Sequence, residues 1–394
     1  MVRYNEVMKK ILIICLSLIL SGCSSFSILK KEIQPQPEEP ILPSNLNSDY
    51  HYNYYYGFLN NEEKNIYNIM YESVANYETK TSYPSVDYES FLRAQMAFNY
   101  DHPEYYWISE FECTTTFDQV TEVKYMNAFS PEELEECAQV AHNILYCVNQ
   151  NWSTYDKIRY IYEYIIETTD YNLQANYNQD IRSVLLYQSS VCAGYSRTFQ
   201  YLCNLLEIPC IYVTGTGKDG ESHSWNQVQI DGNWYWVDVT WGDPVYENES
   251  GMGNVMNYNY LCVSDKDFLD THVINTGFSL SNYSCSDIYV YPSCTDDSYN
   301  YYVLEGCYFD YYDRYEVEAY FANLLKNGYI RSIELKFSNR DSFLEAYYDL
   351  FDDGDSDGYI FEIIKKYCNV SRSMKYELHY SESMYYICVD IYVN

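Results

Sequence analysis

The spacing of apolar residues in the first half of the chain is that of amphipathic helices. Between residues 50 and 169, apolar side chains recur at intervals of three and four residues. The predicted helices begin near Asn61, at Ser130-Pro131 and at Tyr155. Ser130 is a favourable N-cap residue, and Pro131 fits the first helical turn. We therefore predict a helical N-terminal region over residues 50–154.

The pattern changes between Ile181 and Pro244. A helical repeat that begins at Cys192 is followed by three strand-like runs. The last two runs flank Asp231-Gly232, a dipeptide that favours a two-residue hairpin turn. The register set by this turn, extended along the two strands, places Asp238 diagonal to His223 on the same face of the hairpin.

The last third of the chain predicts a separate module over residues 282–394, in which strands and helices alternate. The predicted strands are Tyr299 to Leu304, Tyr329 to Phe337, Met374 to His379 and Tyr385 to Val393, and the predicted helices lie near Tyr315 to Leu325, Asp341 to Leu350 and Tyr359 to Tyr367. The predicted fold class is accordingly α+β, with a helical N-terminal half and a smaller α+β accessory domain at the C-terminus.

The N-terminus has the features of an export signal. A basic start precedes an apolar run from Ile11 to Leu20, which suits a signal-peptide core and is short for a membrane span. The run closes on Leu20-Ser21-Gly22-Cys23, which resembles the bacterial lipoprotein box. Residues 1–22 are therefore predicted to be a lipoprotein signal peptide, with lipidation of Cys23. An ordinary cleaved signal with an incidental cysteine is the alternative.

Residues 23–49 are rich in proline and polar residues, which predicts an extended tether. A lipid anchor followed by a tether would place the folded domains at the extracytoplasmic face of the cell membrane. The chain has 14 cysteines, which could form disulfides in that compartment or remain thiols in a reducing habitat. The sequence leaves both states open.

The chain is strongly acidic. It has 24 Lys plus Arg against 57 Asp plus Glu, a formal net charge of -33. Such a chain repels phosphate backbones and anionic membrane surfaces. Nucleic acid is therefore not expected among its partners, and the acidic body should stand away from the membrane that holds its anchor.

Three residues of the middle segment have the chemistry of a nucleophile and its base. Cys192 is predicted at a helix N-terminus, where the helix dipole and free N–H groups favour a thiolate and can receive an oxyanion. His223 can serve as the base, and the hairpin brings the Asp238 carboxylate within reach of its ring. A lone cysteine on a helix is more often a small buried hydrophobe, so the hypothesis depends on all three residues together.

The residues around these positions resemble the bacterial transglutaminase-like superfamily. The motifs that carry the resemblance are Val191-Cys-Ala-Gly-Tyr195, Gly220 to Asn226 with its His-Ser-Trp-Asn, and Asn233 to Trp241. The resemblance is best over residues 181–244 and extends more loosely over 155–275, where Tyr260 to Ser264 and His272 resemble the family's following strand and trailing His. It implies a papain-like catalytic domain over 155–275.

Carried over by position, the resemblance implies that Cys192 is the nucleophile. It implies that His223 acts first as the base and then as the acid, and that Asp238 orients the His223 ring. Trp225 and Trp241 are the candidate substrate-binding residues. The backbone N–H of Cys192 is a candidate oxyanion donor. About ten residues before the cysteine the family often has an aromatic residue, and this chain has Arg182 there.

The implied reaction is acyl transfer from amide bonds through a Cys192 thioester, either to water (peptidase or amidase) or to an amine (transglutaminase-type cross-linking). The expected partners are a peptide, protein or cell-wall peptide substrate, and the membrane through the lipid anchor. A catalytically silent domain that serves as a cell-surface binding module is the alternative. Neither a metal nor a cofactor is expected: Asp353–Gly358 begins like a calcium loop, but Ile364 stands where such a loop needs Glu.

Overall fold

The computed structural model describes residues 52–117, 119–127, 129–243, 256–280, 283–326, 332–351, 358–367 and 374–393. The predicted signal peptide and tether, with Cys23, lie outside the described residues, and so do residues 353–357 of the calcium-like loop. None of the helices in the described part of the chain is both long and apolar enough to span a membrane.

The helices predicted from the apolar spacing are formed. The α-helices of the described residues are α1 (Asn61–Ala75), α2 (Tyr88–Asp101), α3 (Pro131–Tyr146), α4 (Thr154–Thr168), α5 (Ile181–Leu185), α6 (Cys192–Leu205), α7 (Asp265–Phe268), α8 (Tyr301–Leu304), α9 (Arg314–Lys326), α10 (Arg340–Phe351) and α11 (Gly358–Tyr367). Helices α1, α3 and α4 begin behind Asn60, Ser130 and Ser153, whose side chains accept hydrogen bonds from first-turn N–H groups. These caps satisfy donors that have no partner inside the helix.

The strands form sheets of two to five members. They are β1 (Lys80–Asp87), β2 (Phe111–Thr116), β3 (Gln119–Tyr125), β4 (Asp170–Tyr171), β5 (Ser189–Ser190), β6 (Cys210–Gly217), β7 (Ser222–Ile230), β8 (Asn233–Val237), β9 (Leu261–Val263), β10 (His272–Ile274), β11 (Phe278–Leu280), β12 (Tyr283–Cys285), β13 (Tyr308–Phe309), β14 (Ser332–Phe337), β15 (Met374–Ser381) and β16 (Tyr386–Val393). The largest is a five-stranded antiparallel sheet in the order β10-β6-β7-β8-β9. Helix α6 packs against β6 and β7 of this sheet.

The hairpin between β7 and β8 has the predicted register. Its ladder runs from the Ile230–Asn233 pair to the Asn226–Val237 pair. The turn residues Asp231 and Gly232 have φ angles of 50° and 88°. Positive φ at both central residues is the requirement of a type I′ turn, whose twist matches that of the two strands.

Two hydrophobic cores are present in the described residues. The first collects buried residues from Tyr55 to Cys294, and the second from Tyr301 to Ile391. The second core lies between helices α9 to α11 and a four-stranded sheet in the order β13-β14-β16-β15. Tyr289 and Cys294 pack in the first core, so the second core begins later than the predicted boundary at residue 282. The fold is α+β, as predicted.

Two segments differ from the prediction, each for a local reason of its own. The region 50–154 contains helices but also a sheet in the order β1-β3-β2. Strand β1 has an irregular register between Ser82 and Val86, which breaks the alternation that would identify a strand. In the second module, Tyr299 to Leu304 was predicted to be a strand. The side chain of Asn300 instead accepts a hydrogen bond from Tyr302 N and caps the short helix α8.

Candidate active site

Cys192 is the first residue of α6. The residue before it, Val191, has extended backbone dihedrals and offers no side-chain cap to the helix. The first-turn N–H groups are therefore available to a thiolate or an oxyanion. The helix is fixed against the sheet by the fully buried side chains of Tyr195, Phe199 and Leu202. Cys192 itself is half-buried, so the sulfur is held in place and still open to a substrate.

The backbone of α6 approaches its neighbours closely at Gly194. A Cβ atom at this position would overlap the hydroxyl oxygens of Ser183 and Ser190. These two hydroxyls lie 2.7 Å apart and are hydrogen-bonded to each other. A glycine two residues after the cysteine therefore lets the helix start sit directly against α5 and β5.

His223 lies on β7 opposite Gly215 of β6. Its Nε2–H donates a hydrogen bond of 2.6 Å to Asp238 Oδ2. Because Nε2 is used in this way, Nδ1 is the nitrogen left for the Cys192 sulfur, and the two groups shift each other's pKa. The ring therefore stands between the thiol and the carboxylate.

Asp238 follows the last residue of β8 and is fully buried. The ladder with β7 ends at Val237, and the Asp238 N–H donates to Tyr260 O instead. The pairing of Asp238 with Trp225 that the extended register implied is therefore not formed. The Asp238 carboxylate reaches the His223 ring nonetheless, because the chain turns here and the Asp238 Oδ1 atom accepts hydrogen bonds from Thr240 N (2.9 Å) and Trp241 N (3.1 Å).

The protonation states of the three groups are set by their contacts with one another. Burial raises the pKa of the Asp238 carboxyl, but the charge and hydrogen bond of His223 outweigh this and keep that pKa well below its usual range. Burial lowers the pKa of His223, but Asp238 raises it to about 10. Burial also raises the pKa of Cys192, yet hydrogen bonds from His223 and Ser224 leave it below its ordinary value. The arrangement favours a thiolate beside an imidazolium.

Ser224 is a part of the site that the sequence did not point to. Its backbone oxygen accepts a hydrogen bond of 2.8 Å from the Ser196 hydroxyl on α6, and its own hydroxyl lies 3.4 Å from the same oxygen. Ser196 also contacts Cys192 O at 2.7 Å. The two serines thus join the helix of the nucleophile to the strand of the base. A serine beside a histidine is too common a pair to have been selected from sequence.

The two candidate substrate-binding tryptophans lie in different surroundings. Trp241 is half-buried, and its ring faces that of His223. Trp225 is 0% exposed and packs against Phe268 and His272 in the core. The expected substrate contact of Trp225 does not fit this burial, because Phe268 and His272 lie against its ring. Trp241 remains the candidate wall of the cleft.

Arg182 occupies the position where the family often has an aromatic residue, and it is structural here. The side chain is 1% exposed, and its guanidinium donates to Asp180 (2.9 Å) and to Glu133 (3.2 Å). The guanidinium also lies over the rings of Tyr106 and Tyr177, at 4.0 and 3.7 Å from their centroids. With its donors engaged in this way, Arg182 is not an oxyanion donor, and the backbone N–H of Cys192 stays the candidate.

One group of donor atoms in the described residues is close enough to suggest a metal ion. It consists of His223, Asp238 and His272, whose ligand atoms lie within 4.8 Å of one another. The His223 and Asp238 atoms, however, are only 2.6 Å apart in a hydrogen bond. Two ligands at about 2.0 Å from one tetrahedral zinc ion are more than 3 Å apart, so the observed arrangement fits shared protons and not a metal ion.

The segment that contains the three site residues matches a known family model. Residues 143–239 match the family model described as the Transglutaminase-like superfamily, and this range contains Cys192, His223 and Asp238.

Two similar curated proteins are both named kyphoscoliosis peptidase. The protein from Mus musculus is 26% identical over 137 residues, which are 30% of this chain and 21% of that protein. The protein from Homo sapiens is 26% identical over 133 residues, which are 30% of this chain and 19% of that protein. The matched part therefore spans about a fifth of the length of these relatives.

Similar solved structures include the crystal structure of a TGase, which is 17% identical with a TM-score of 0.27 and covers 34% of this chain and 44% of that one. A second is a structure from Cytophaga hutchinsonii described provisionally as a cysteine protease. It is 15% identical with a TM-score of 0.24 and covers 33% of this chain and 61% of that one.

Proposed function

We propose that the chain is an extracytoplasmic thiol acyl-transfer enzyme that acts on amide bonds of peptides or proteins through a thioester on Cys192. The observation that carries the proposal is the His223 ring, which donates to the buried Asp238 carboxylate and, with its other side, lowers the pKa of the Cys192 thiol. A thiol of lowered pKa beside a base of raised pKa is the pair that nucleophilic acyl transfer needs.

In the first half-reaction, the Cys192 thiolate attacks the amide carbonyl carbon and a C–S bond forms. The carbonyl electron pair moves onto the oxygen, which the N–H groups at the start of α6 can stabilise. The C–N bond then breaks, and His223 gives its Nδ1 proton to the departing amine. The products of this half are a thioester and a free amine.

In the second half-reaction, His223 is neutral and takes a proton from the incoming water or amine. The deprotonated acceptor attacks the thioester, the C–S bond breaks, and the thiolate and imidazolium are restored. Asp238 stays ionised throughout and stabilises the imidazolium, since its carboxylate oxygens accept N–H bonds and the pKa of its carboxyl is held low. Water as acceptor gives hydrolysis, and an amine gives a new amide.

The substrate class and the location rest on different supports. Two similar proteins are named peptidases, and this name supports peptide-bond hydrolysis as the reaction of this chain.

Lipidation of Cys23 and the tether over residues 23–49 rest on the sequence alone. A Cys23→Ser variant expressed in a bacterium that processes lipoproteins tests this part: the wild type should sediment with membranes and the variant should not. Equal partition of both would argue against the anchor.

The catalytic part is tested by the pH dependence of alkylation by iodoacetamide, with each cysteine followed by mass spectrometry. Cys192 should react well below the pH at which an ordinary thiol with a pKa of about 8.5 reacts. Cys147 is exposed at the end of α3 and provides a reference thiol in the same molecule. His223→Ala should remove the advantage of Cys192 over Cys147. Similar pH profiles for both cysteines in the wild type would contradict the proposal and favour a silent binding module.

Hydrolysis and transamidation can be separated with one protein substrate. Casein incubated with the enzyme and a fluorescent primary amine gives shorter fragments if water is the acceptor, and labelled casein if the amine is. Cys192→Ser provides the matched control, because it keeps the size and polarity of the side chain and weakens the nucleophile. A Cys192→Ser protein as active as the wild type would rule out the thioester route.

A further inference from the structure

A second histidine binds the same carboxylate oxygen as His223. His272 lies on the edge strand β10, opposite Gly217 of β6, and is 2% exposed. Its Nε2 atom lies 3.0 Å from Asp238 Oδ2, the atom that also accepts the 2.6 Å hydrogen bond from His223. With the two backbone N–H groups on its other oxygen, Asp238 accepts four hydrogen bonds, which matches the capacity of a carboxylate.

The position of the proton on His272 follows from these contacts. A carboxylate oxygen only accepts, so Nε2 of His272 must carry a hydrogen. Burial lowers the pKa of His272, and the cationic His223 lowers it further against the pull of Asp238, so the net pKa is below the ordinary value and the ring is neutral. Its Nδ1 atom is then an acceptor for the Thr271 hydroxyl, which lies 2.9 Å away, and the Phe268 carbonyl oxygen at 3.3 Å receives no hydrogen from it.

The surroundings of His272 are otherwise aromatic. Phe268 stacks on the ring at 3.8 Å between centroids, and the rings of Trp241 and Tyr260 lie at 4.3 and 5.7 Å. The titratable groups that face His272 are thus Asp238, His223 and the Tyr260 ring. Asp265, on the same short helix as Phe268, is directed to Trp236 Nε1 at 2.7 Å.

We infer that His272 is a positioning residue for the proposed reaction: its Nε2–H holds the Asp238 carboxylate in place, and through it the ring of His223. The inference rests on the function proposed above, because it concerns the same three reacting groups. His272 is buried behind Asp238, so it would act on the reaction only through that carboxylate. It lies outside residues 143–239, the range that matches the family model.

Loss of the His272 hydrogen bond should weaken the thiolate in two ways that act in the same direction. The His223 ring loses part of its fixed orientation, so it stabilises the Cys192 thiolate less. The Asp238 carboxylate loses one hydrogen-bond donor, so its negative charge is less compensated. That charge raises the pKa of the Cys192 thiol. Both effects move the ionisation of Cys192 to higher pH.

The test compares replacements that keep different parts of His272. His272→Phe keeps a ring that can stack on Phe268 and removes the donor. His272→Gln removes the ring, but its amide nitrogen can reach the position of Nε2. The exposed His142 provides a control as His142→Gln. For each full-length protein, the pH of half-maximal alkylation of Cys192 is measured beside that of Cys147.

The expected result for His272→Phe is a half-maximal pH about one unit higher, with alkylation about 10-fold slower below the transition, as for loss of one hydrogen bond to a buried charge. His272→Gln and His142→Gln should stay close to the wild type. A merely structural role would lower thermal stability and leave the half-maximal pH of the folded protein unchanged. That outcome in His272→Phe would overturn the inference.

If His272→Phe does not fold, His272→Asn takes its place. Its shorter side chain puts the amide near the position of Nδ1, out of reach of Asp238, so it should show the shift that His272→Gln lacks. Equal profiles for His272→Asn and His272→Gln would overturn the inference. A wild type in which Cys192 ionises like Cys147 would instead overturn the proposed function itself, and the two failures are thus distinguishable.

Discussion

The indole ring of Trp241 lies against the imidazole ring of His223, with centroids 5.1 Å apart and 22° between the ring planes. This stacking restricts the tilt of the base. Trp241→Ala should therefore slow Cys192 alkylation near pH 6 by about 3- to 10-fold, the range of one aromatic pair. Trp241→Phe should retain most of the rate.

Trp225→Ala is the contrasting variant, since Trp225 is fully buried. It should lower the free energy of unfolding by about 3–5 kcal/mol through the cavity it leaves. Trp241→Ala should change that free energy much less. The free energy of unfolding in urea and the rate of Cys192 alkylation are measured for both variants. An equal loss of stability in Trp225→Ala and Trp241→Ala would show that Trp241 is a core residue too.

Gly194→Ala should damage both stability and reactivity. Its Cβ atom would overlap the Ser183 and Ser190 hydroxyls, so the first turn of α6 must shift. A cost of about 1–3 kcal/mol is expected for such overpacking. Gly57→Ala is the control, because nothing lies within 4 Å of a Cβ atom there. Thermal unfolding and Cys192 alkylation report the outcome, and a Gly194→Ala protein indistinguishable from Gly57→Ala would contradict the packing argument.

Arg182→Met should be strongly destabilising. The change leaves Asp180 without the guanidinium that it binds in a buried setting, and it removes the contact with the Tyr106 and Tyr177 rings. Removal of one partner of a buried ion pair costs about 3–5 kcal/mol. Arg340→Met, which breaks an exposed pair with Glu382, should have little effect. Chemical denaturation measures the free energy of unfolding of the two variants. Similar small decreases in both would mean that the buried contacts of Arg182 do not stabilise the fold.

The stability contributed by His223 should depend on pH. Its pKa is about 10 in the folded protein against 6.5 for an ordinary histidine. A base whose pKa is raised on folding stabilises fully below the unfolded value, and this contribution disappears as the pH rises through the folded value. The wild type should exceed His223→Gln by at least about 1 kcal/mol near pH 6.5, and the gap should narrow towards pH 10. Urea unfolding at several pH values measures it, with His142→Gln as control.

The hairpin is the part of the site that sequence predicted best. A two-residue turn at Asp231-Gly232 permits one register, and alternation along the strands then fixes which side chains share a face. The helix that begins at Cys192 could be predicted equally well, because four apolar residues follow Cys192 at helical spacing. Both are local signals. The structure brings Asp238 to the His223 ring, but through the turn after β8 and not through the extended strand pairing, and the catalytic roles of Cys192, His223 and Asp238 stay a proposal.

Contacts between segments distant in sequence were beyond such reasoning. The burial of Trp225 depends on Phe268 and His272, which reach it from α7 and β10. The second hydrogen bond on Asp238 Oδ2 likewise comes from an edge strand 34 residues away. From the sequence, His272 was identified only by its resemblance to a histidine of the family. No local pattern indicates which strand pairs with β6, because the order of strands depends on the packing of the complete sheet.

The reactive residues come from two elements that meet only in the folded protein. Cys192 belongs to a helix, whereas His223 and Asp238 belong to a hairpin and the turn after it. Before α6 docks on the sheet, Cys192 is one ordinary thiol among 14 cysteines. The proposed reactivity of Cys192 therefore depends on the docking of α6 on the sheet, and it would arise only together with the tertiary structure.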